Sequence, residues 1–209
     1  MKTQHGFYII FEGCHGTGKT TQSKKLFEFL KKKFPHKEII WTREPGGGEI
    51  TESIRKLVQG TKFSEEMDPH CEAYLYAASR AQSLRRIVKP VLEKNGIVIQ
   101  DNSFITSLAY QGAARKLGFE TCLAINEIAL GGTLPDLVIH LSLDLQASRA
   151  RTLDADGDKF EKLGIEFDKR IETGYKKTSK LTMFKGKWIN VNAEGDITDV
   201  FNKILKRII

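Results

Sequence analysis

The stretch that decides the fold reads Phe7-Tyr8-Ile9-Ile10-Phe11-Glu12-Gly13-Cys14-His15-Gly16-Thr17-Gly18-Lys19-Thr20-Thr21. The apolar run at its start predicts a buried strand, and the pattern from Lys19 to Phe34 predicts an amphipathic helix. Between them lies a full G-x-x-x-x-G-K-[ST] match, which in this strand-to-helix context indicates a phosphate-binding loop. Glycines let the backbone N–H groups turn toward phosphate oxygens, and the helix adds its positive end. We therefore predict nucleotide binding by Gly13, Cys14, His15, Gly16, Thr17, Gly18, Lys19, Thr20 and Thr21.

Two side chains of this loop carry the expected chemistry. Lys19 is expected to reach the β- and γ-phosphates, and Thr20 is expected to be a ligand of Mg²⁺, so the predicted cofactors are ATP and Mg²⁺. A switch GTPase would need an Asn-Lys-x-Asp segment after a strand, and the sequence has none. A motor ATPase would normally carry further modules. The remaining motifs offer sites for a second small ligand, which favours a kinase.

Short apolar runs alternate with helical patterns along the rest of the chain. Further strands are predicted at 38–42, 97–101, 137–143 and 188–191, and helices at 65–93, 103–117, 120–130, 144–153, 161–180 and from 196 onward. Strands without polar alternation, separated by helices, indicate a five-stranded parallel sheet covered by helices on both faces. The prediction is an α/β P-loop NTPase fold in one domain over residues 1–209. Its ligands are expected beyond the carboxyl ends of the strands.

The composition narrows the class of partner. The chain has 40% hydrophobic and 28% charged residues and a net charge of +7. Its basic runs lack the interleaved aromatic residues that stack nucleic-acid bases, so we predict a small polyanionic partner and no nucleic acid. No run of eighteen apolar residues or signal-peptide layout is present, so no membrane partner is expected. Three cysteines without a C-x-x-C motif favour a reducing, cytoplasmic location and no zinc site.

Four further segments, taken together with the loop, resemble bacterial thymidylate kinases. They read Thr-Arg-Glu-Pro-Gly-Gly at 42–47, Tyr-Ala-Ala-Ser-Arg-Ala-Gln at 76–82, Ser-Leu-Ala-Tyr-Gln-Gly at 107–112, and Ser-Arg-Ala-Arg at 148–151, before a predicted mobile lid at about 152–160. The resemblance spans nearly the whole chain in the same order. It implies transfer of the ATP γ-phosphate to dTMP, giving dTDP for dTTP synthesis, by a homodimer.

Spacing and resemblance together indicate an acceptor pocket. Tyr76 and Arg80 are four residues apart and share one helix face, where a ring and a guanidinium can stack on a pyrimidine and donate to its carbonyl. In the family, the residues matching them stack on thymine and bind its O4. Ser107, Tyr110 and Gln111 also share a helical face. The resemblance implies that Ser107 reads the base and that Tyr110 crowds the 2′ position of the sugar.

Position in the chain and the resemblance also indicate roles for the charged residues. Arg43 is expected to hold the acceptor phosphate, and Glu44 the sugar or a metal-bound water. Asp101, at the end of a strand, is expected to hold the hydration shell of Mg²⁺, and it can also cap a helix. Arg149 and Arg151 are two residues apart, so they face different ways on a regular helix. We expect at most one of them to reach the transferring phosphoryl group, while the other lies against the adenine or forms a salt bridge.

Three positions depart from the pattern of the family. His15 replaces an acidic residue of the phosphate loop, Asp101-Asn102-Ser103 replaces Asp-Arg followed by an aromatic residue, and Asp158-Lys159 replaces Asp-Arg in the lid. Asn102 carries no charge to replace the arginine. Two alternatives therefore stay open beside a working dTMP kinase. One is a kinase for another nucleotide or nucleoside, and the other is a weakly active or non-catalytic nucleotide-binding paralogue.

Overall fold

The computed structural model describes residues 6–60, 63–151, 160 and 163–208. Its strands are β1 (Phe7–Glu12), β2 (Ile39–Arg43), β3 (Ile97–Asp101), β4 (Leu137–Ser142) and β5 (Trp188–Asn192). They form one sheet in the order β2-β3-β1-β4-β5, and every neighbouring pair is parallel. The predicted five-stranded parallel sheet is confirmed.

The helices are α1 (Lys19–Lys33), α2 (Glu49–Gln59), α3 (Pro69–Ser83), α4 (Lys89–Glu93), α5 (Phe104–Ser107), α6 (Phe119–Leu130), α7 (Leu145–Ala150), α8 (Ile165–Thr178) and α9 (Ile197–Ile208). Two π-helical segments, Leu84–Val88 and Leu108–Ala114, continue α3 and α5, and a 3₁₀ turn spans Thr182–Phe184. None of the described helices combines the length and the apolar character that crossing a membrane requires.

The side chains of the sheet alternate between two apolar cores. Tyr8 and Ile10 of β1 point into one core, which α3, α4, α6 and α8 cover, whereas Ile9 and Phe11 point into the other, which α1 and α9 cover. Successive side chains of a strand project to opposite faces, so a strand with both faces covered needs an unbroken apolar run. This explains why the strands were recognisable in the sequence.

The carboxyl ends of the central strands meet at one edge of the sheet. In the parallel register, Phe11 of β1 and Arg43 of β2 both pair with Asp101 of β3. The phosphate loop leaves β1 one residue later, after Glu12. The motifs that follow β1, β2 and β3 are therefore brought together by strand pairing alone.

Several predicted boundaries were wrong for local reasons. The sequence prediction had no helix between residues 43 and 65, where the structure has α2. Helix α3 begins at Pro69 and not at residue 65, because Asp68 caps it by accepting from the N–H groups of His70 and Cys71. Pro90 does not end the helical segment: the π-helical turn Leu84–Val88 precedes it, with the N–H of Lys89 donating to the carbonyl oxygen of Leu84, and α4 continues through it.

The predicted lid at 152–160 lies outside the described residues, except for Phe160. The same applies to Asp158 and Lys159 and to the predicted ends of the two flanking helices. Within the described part, α7 ends at Ala150 and α8 begins at Ile165, after Gly164 at φ 80°.

Candidate active site

The phosphate loop joins β1 to α1 and has the backbone of an anion cradle. Gly13 has φ 144°, and a Cβ there would lie 2.4 Å from the carbonyl oxygen of Leu141, so no side chain fits. Gly18 has φ 88° and precedes the first turn of α1. The Nζ of Lys19 donates to the carbonyl oxygens of Gly13 and Cys14 at 2.9 and 2.8 Å. The ammonium group thus already lies against the loop whose N–H groups would surround a phosphate.

A cavity of about 420 Å³ extends from this loop over the carboxyl ends of the strands. Of the residues predicted to bind nucleotide, its wall contains His15, Gly16, Gly18, Lys19, Thr20 and Thr21. Gly13, Cys14 and Thr17 are not on this wall. Cys14 is buried behind the loop, and burial raises the pKa of its thiol to about 12, which makes it an unreactive thiol at neutral pH.

All the predicted acceptor residues lie on the same cavity wall: Arg43, Glu44, Tyr76, Arg80, Ser107, Tyr110 and Gln111. Two helical segments supply most of them. Tyr76 and Arg80 come from one face of α3, as their spacing predicted. The α5 helix and the π-helical segment after it carry the other set, and π-helical turns are frequent at functional sites.

Arg80 is held rigidly before any ligand binds. Its side chain is 2% exposed, and its Nε donates to Oε2 of Glu44 at 2.8 Å, where Glu44 is 3% exposed. The guanidinium also donates to Oδ1 of Asn126 and, at 3.3 Å, to Oγ of Ser107. Burial raises the pKa of the Glu44 carboxyl, and the charge of Arg80 opposes that rise. Such a buried pair fixes geometry because neither partner has an alternative in water.

Gln111 and Tyr110 are buried by different contacts. The amide of Gln111 donates to Oε1 of Glu72 at 2.8 Å, which fixes its orientation at the cavity wall. The ring of Tyr110 makes edge-to-face contacts with His15, Phe160 and Phe167, with centroids 5.3, 5.5 and 6.4 Å away. One aromatic cluster therefore links the phosphate loop to the far wall of the cavity.

The predicted catalytic arginines differ in their surroundings. Arg43 lines the cavity, is 38% exposed, and makes a two-pronged ion pair with Glu52 of α2, with its Nη2 2.9 and 3.0 Å from the two carboxylate oxygens. Arg151 also lines the cavity, and its guanidinium donates weakly to the carbonyl oxygen of Ala193. Arg149 is not on the cavity wall and pairs with Asp168 of α8 at 2.6 Å. These contacts favour Arg151 over Arg149 as the arginine that faces the phosphates.

Thr20 and Asp101, the predicted metal ligands, are adjacent. The hydroxyl of Thr20 donates to Oδ2 of Asp101, while Oδ1 of Asp101 is buried without a hydrogen-bond partner among the described residues. No cluster of three or more His, Cys, Asp or Glu side chains suited to a metal occurs in that part of the chain. One hydroxyl and one carboxylate fit Mg²⁺, which usually keeps several waters and binds substrate phosphates.

Sequence reasoning missed several residues of the cavity wall: Arg55, Gln59, Ser103, Thr106 and Phe160. Arg55 and Gln59 belong to α2, and the periodicity of Ile50, Ile54, Leu57 and Val58 was a signal that could have revealed this helix. Arg55 donates from Nη1 to the carbonyl oxygen of Pro45 at 3.0 Å, which holds the turn after β2.

The two described departures from the family pattern also face the cavity. His15 lies in the aromatic cluster, and its carbonyl oxygen accepts from Ser148 of α7. Asn102 has φ 64°, and its backbone carbonyl accepts from Nε2 of Gln100 at 2.9 Å. Asn102 itself carries no charge. Five cationic side chains line the same cavity wall: Lys19, Arg43, Arg55, Arg80 and Arg151.

Comparison with known proteins gives a consistent result. Residues 11–204 match the family model described as thymidylate kinase. The chain is 40% identical over 205 residues to the thymidylate kinase of Finegoldia magna, covering 96% of this chain and 98% of the relative. It is 37% identical to that of Caldicellulosiruptor saccharolyticus, covering 97% and 96%. The crystal structure of thymidylate kinase from Ehrlichia chaffeensis superposes with a TM-score of 0.78 at 26% identity, covering 97% of this chain and 98% of that one.

Proposed function

The chain belongs to the thymidylate kinase family, and we propose that it transfers the γ-phosphate of ATP to dTMP, giving dTDP. One observation carries the proposal beyond the comparisons. A single cavity joins the phosphate loop around Lys19 to a pocket walled by Tyr76, Arg80 and Tyr110. Direct transfer between two nucleotides requires both sites to open into one space, because the two phosphates must meet.

The acceptor base is recognised by side chains that are fixed in advance. The ring of Tyr76 offers a stacking surface, and the guanidinium of Arg80 offers donors for a pyrimidine carbonyl, with Ser107 and Gln111 beside them. The ion pair with Glu44 supports this role, because it prevents Arg80 from turning away when the pocket is empty. The ring of Tyr110 packs against three other rings, which holds it in place where it would exclude a 2′-hydroxyl sterically.

The acceptor phosphate is held by arginines at the other end of the cavity. Arg43 approaches it by exchanging the carboxylate of Glu52 for the phosphate, and Arg55 lies on the same wall. The half-exposed position of the Arg43–Glu52 pair supports this exchange, since surface ion pairs contribute only about 0–1 kcal/mol.

The phosphoryl transfer itself needs positioning and charge stabilisation rather than a general base. The nucleophile is a phosphate oxygen of dTMP, which is already anionic at neutral pH. Lys19 exchanges the loop carbonyls for the β- and γ-phosphates of ATP, and Arg151 contacts the group in transfer. Thr20 and Asp101 would hold Mg²⁺, which supplies neutralisation of the phosphate charge when bound.

The assembly that we propose is a homodimer in the cytoplasm. Three neighbouring helices, α2, α3 and α6, each expose large apolar side chains: Ile50, Leu57, Tyr74 and Ile128, of which Ile128 is 83% exposed. Residues of this kind on adjacent helices support an interface. All three cysteines of the chain are free, which suits a reducing compartment. The lid at 152–160 and a single domain over the chain remain predictions.

The test is an acceptor panel with ATP and Mg²⁺ that measures the diphosphate formed from dTMP, UMP, dCMP and AMP. Transfer mainly to dTMP is the expected result. A preference for another acceptor would assign a different nucleotide kinase. If nucleotides raised the Tm without any turnover, the chain would be a non-catalytic paralogue and the proposal would be wrong.

A further inference from the structure

The carboxylate of Glu12 lies at a junction of three parts of the site. Glu12 ends β1, directly before the phosphate loop, and is 0% exposed. Its Oε1 accepts from Oγ of Ser103 at 2.6 Å, and its Oε2 accepts from Oγ1 of Thr106 at 2.7 Å and from the hydroxyl of Tyr175 at 3.1 Å. The donors come from two segments, α5 with its cap residue Ser103 and α8, and the carboxylate links both to the end of β1.

These donors lead to two functional elements, the α5 segment of the acceptor pocket and helix α8. Ser103 caps α5 by accepting from the N–H of Ile105, and Thr106 precedes Ser107 of the acceptor pocket. Tyr175 belongs to α8, which follows the predicted lid, and its hydroxyl is also 3.1 Å from the carbonyl oxygen of Gly13. The single hydroxyl proton of Tyr175 is thus shared between Glu12 and the phosphate loop.

Burial of the Glu12 carboxylate lowers the stability of the folded protein. Burial raises the pKa of the Glu12 carboxyl to about 6, although three hydroxyl groups and Lys19 lower it. The carboxylate is ionised at neutral pH, and removing its charge from water lowers the stability of the fold. An amide or an apolar residue at this position would avoid that charge-desolvation penalty. Residues that reduce stability in this way are concentrated at functional sites.

Only an ionised carboxylate can accept a hydrogen bond from all three hydroxyl groups at once. A carboxylate accepts and never donates, so each hydroxyl must give its proton to Glu12. A glutamine would replace one carboxylate oxygen by an NH2 group, which only donates, so at least one of the three contacts would have to reverse or break. A shift of either segment therefore changes the contacts available to the other.

We propose that Glu12 is a positioning residue that couples nucleotide binding in the phosphate loop to the shape of the acceptor pocket, through Ser103, Thr106 and Tyr175. This inference rests on the proposed function, since it requires donor and acceptor sites in one chain. Coupling of this kind is reciprocal, so the acceptor must tighten donor binding by the same factor by which the donor tightens acceptor binding.

The test measures the dissociation constant of a non-hydrolysable ATP analogue with Mg²⁺ by calorimetry, with and without saturating dTMP. In the wild-type chain we expect dTMP to tighten the analogue at least about fivefold. In Glu12→Gln this factor falls to about one and kcat falls at least about tenfold, while the Tm at pH 8 stays equal to or above that of the wild type. Tyr175→Phe, which removes one link, reduces the factor without abolishing it.

Thr178→Val is the matched control. Thr178 lies on the same helix as Tyr175, is fully buried, and donates its hydroxyl to the carbonyl oxygen of Gly174 rather than to Glu12. We expect this variant to keep the coupling factor and kcat of the wild type.

Three results would overturn the proposal: a coupling factor of one in an active wild-type enzyme, full coupling in Glu12→Gln, or equal loss in Thr178→Val. If Glu12→Gln does not fold, unchanged coupling in Tyr175→Phe would overturn it by itself. A wild-type chain that neither binds nor phosphorylates dTMP would overturn the proposed function and this inference together. Activity with dTMP but no loss of coupling in the variants would overturn the inference alone.

Discussion

Replacing Arg80 by methionine tests both the stability and the recognition assigned to the buried ion pair. The substitution keeps most of the side-chain volume but leaves the carboxylate of Glu44, 3% exposed, without its partner at 2.8 Å. Oδ1 of Asn126 and Oγ of Ser107 lose the same partner. Breaking a buried pair from one side costs about 3–5 kcal/mol, so we expect a loss of that size in the free energy of unfolding at pH 8.

The pH dependence of this loss identifies its cause. Burial already raises the pKa of Glu44 above 4.5, and without Arg80 the pKa rises further. A carboxyl with a raised pKa in the folded state destabilises the protein increasingly as the pH rises through that pKa. Because protonation removes the uncompensated charge, the penalty of Arg80→Met must be smaller at low pH than at pH 8.

Urea unfolding of four proteins provides the assay: wild type, Arg80→Met, Glu44→Gln and the double variant. We expect the double variant to lose less stability than the sum of the single losses, because the uncompensated charge is gone. In turnover assays, Arg80→Met raises the KM for dTMP and leaves the KM for ATP nearly unchanged. Additive losses, or an equal loss at low pH and at pH 8, would refute the assignment of a buried charge pair.

Three further predictions use other residues of the site. Because Arg151 shares the cavity wall with Asn102, Asn102→Arg should leave kcat level or lower it and should partly rescue Arg151→Ala; additive effects of the two changes on kcat would contradict this compensation. The rigid ring of Tyr110 should give dTMP a kcat/KM about tenfold to a hundredfold above that of UMP, and Tyr110→Ala should shrink that ratio. Burial lowers the pKa of His140 to about 4. The free energy of unfolding should therefore fall by about 1–3 kcal/mol as the pH drops from 6.5 to 4, because the unfolded chain binds the proton first. The same fall in a His140→Gln variant would show that His140 is not its cause.

The strands and the phosphate loop could be predicted from the sequence because their signals are local. An unbroken apolar run such as Phe7–Phe11 is needed wherever a strand is covered on both faces, and parallel pairing then fixes where the strand ends meet. The acceptor residues were predicted mainly from the family resemblance of the motifs around them; the spacing adds only that Tyr76 and Arg80 share a face on any regular helix. Both residues line the cavity, and their role there stays a prediction.

The buried polar contacts could not be predicted because their partners are distant in the chain. Arg80 pairs with Glu44, 36 positions away, and Glu12 accepts from Tyr175, 163 positions away. Neither contact leaves a spacing pattern that a sequence can reveal. Helix α2 was missed although the periodicity of its apolar residues is helical. Arg55 was lost from the predicted site together with that helix.

The rate of dTDP formation from dTMP and ATP with Mg²⁺, compared between the wild type and Lys19→Ala, tests the central claim most directly. Lys19 lies against the phosphate loop and makes its described hydrogen bonds only to the carbonyl oxygens of Gly13 and Cys14, so its loss should leave the fold intact. We predict that the wild type forms dTDP and that the folded variant loses at least about a hundredfold in kcat, as for removal of one preorganised charge. Absence of dTDP with the wild type, or near-normal kcat in the folded Lys19→Ala variant, would contradict it.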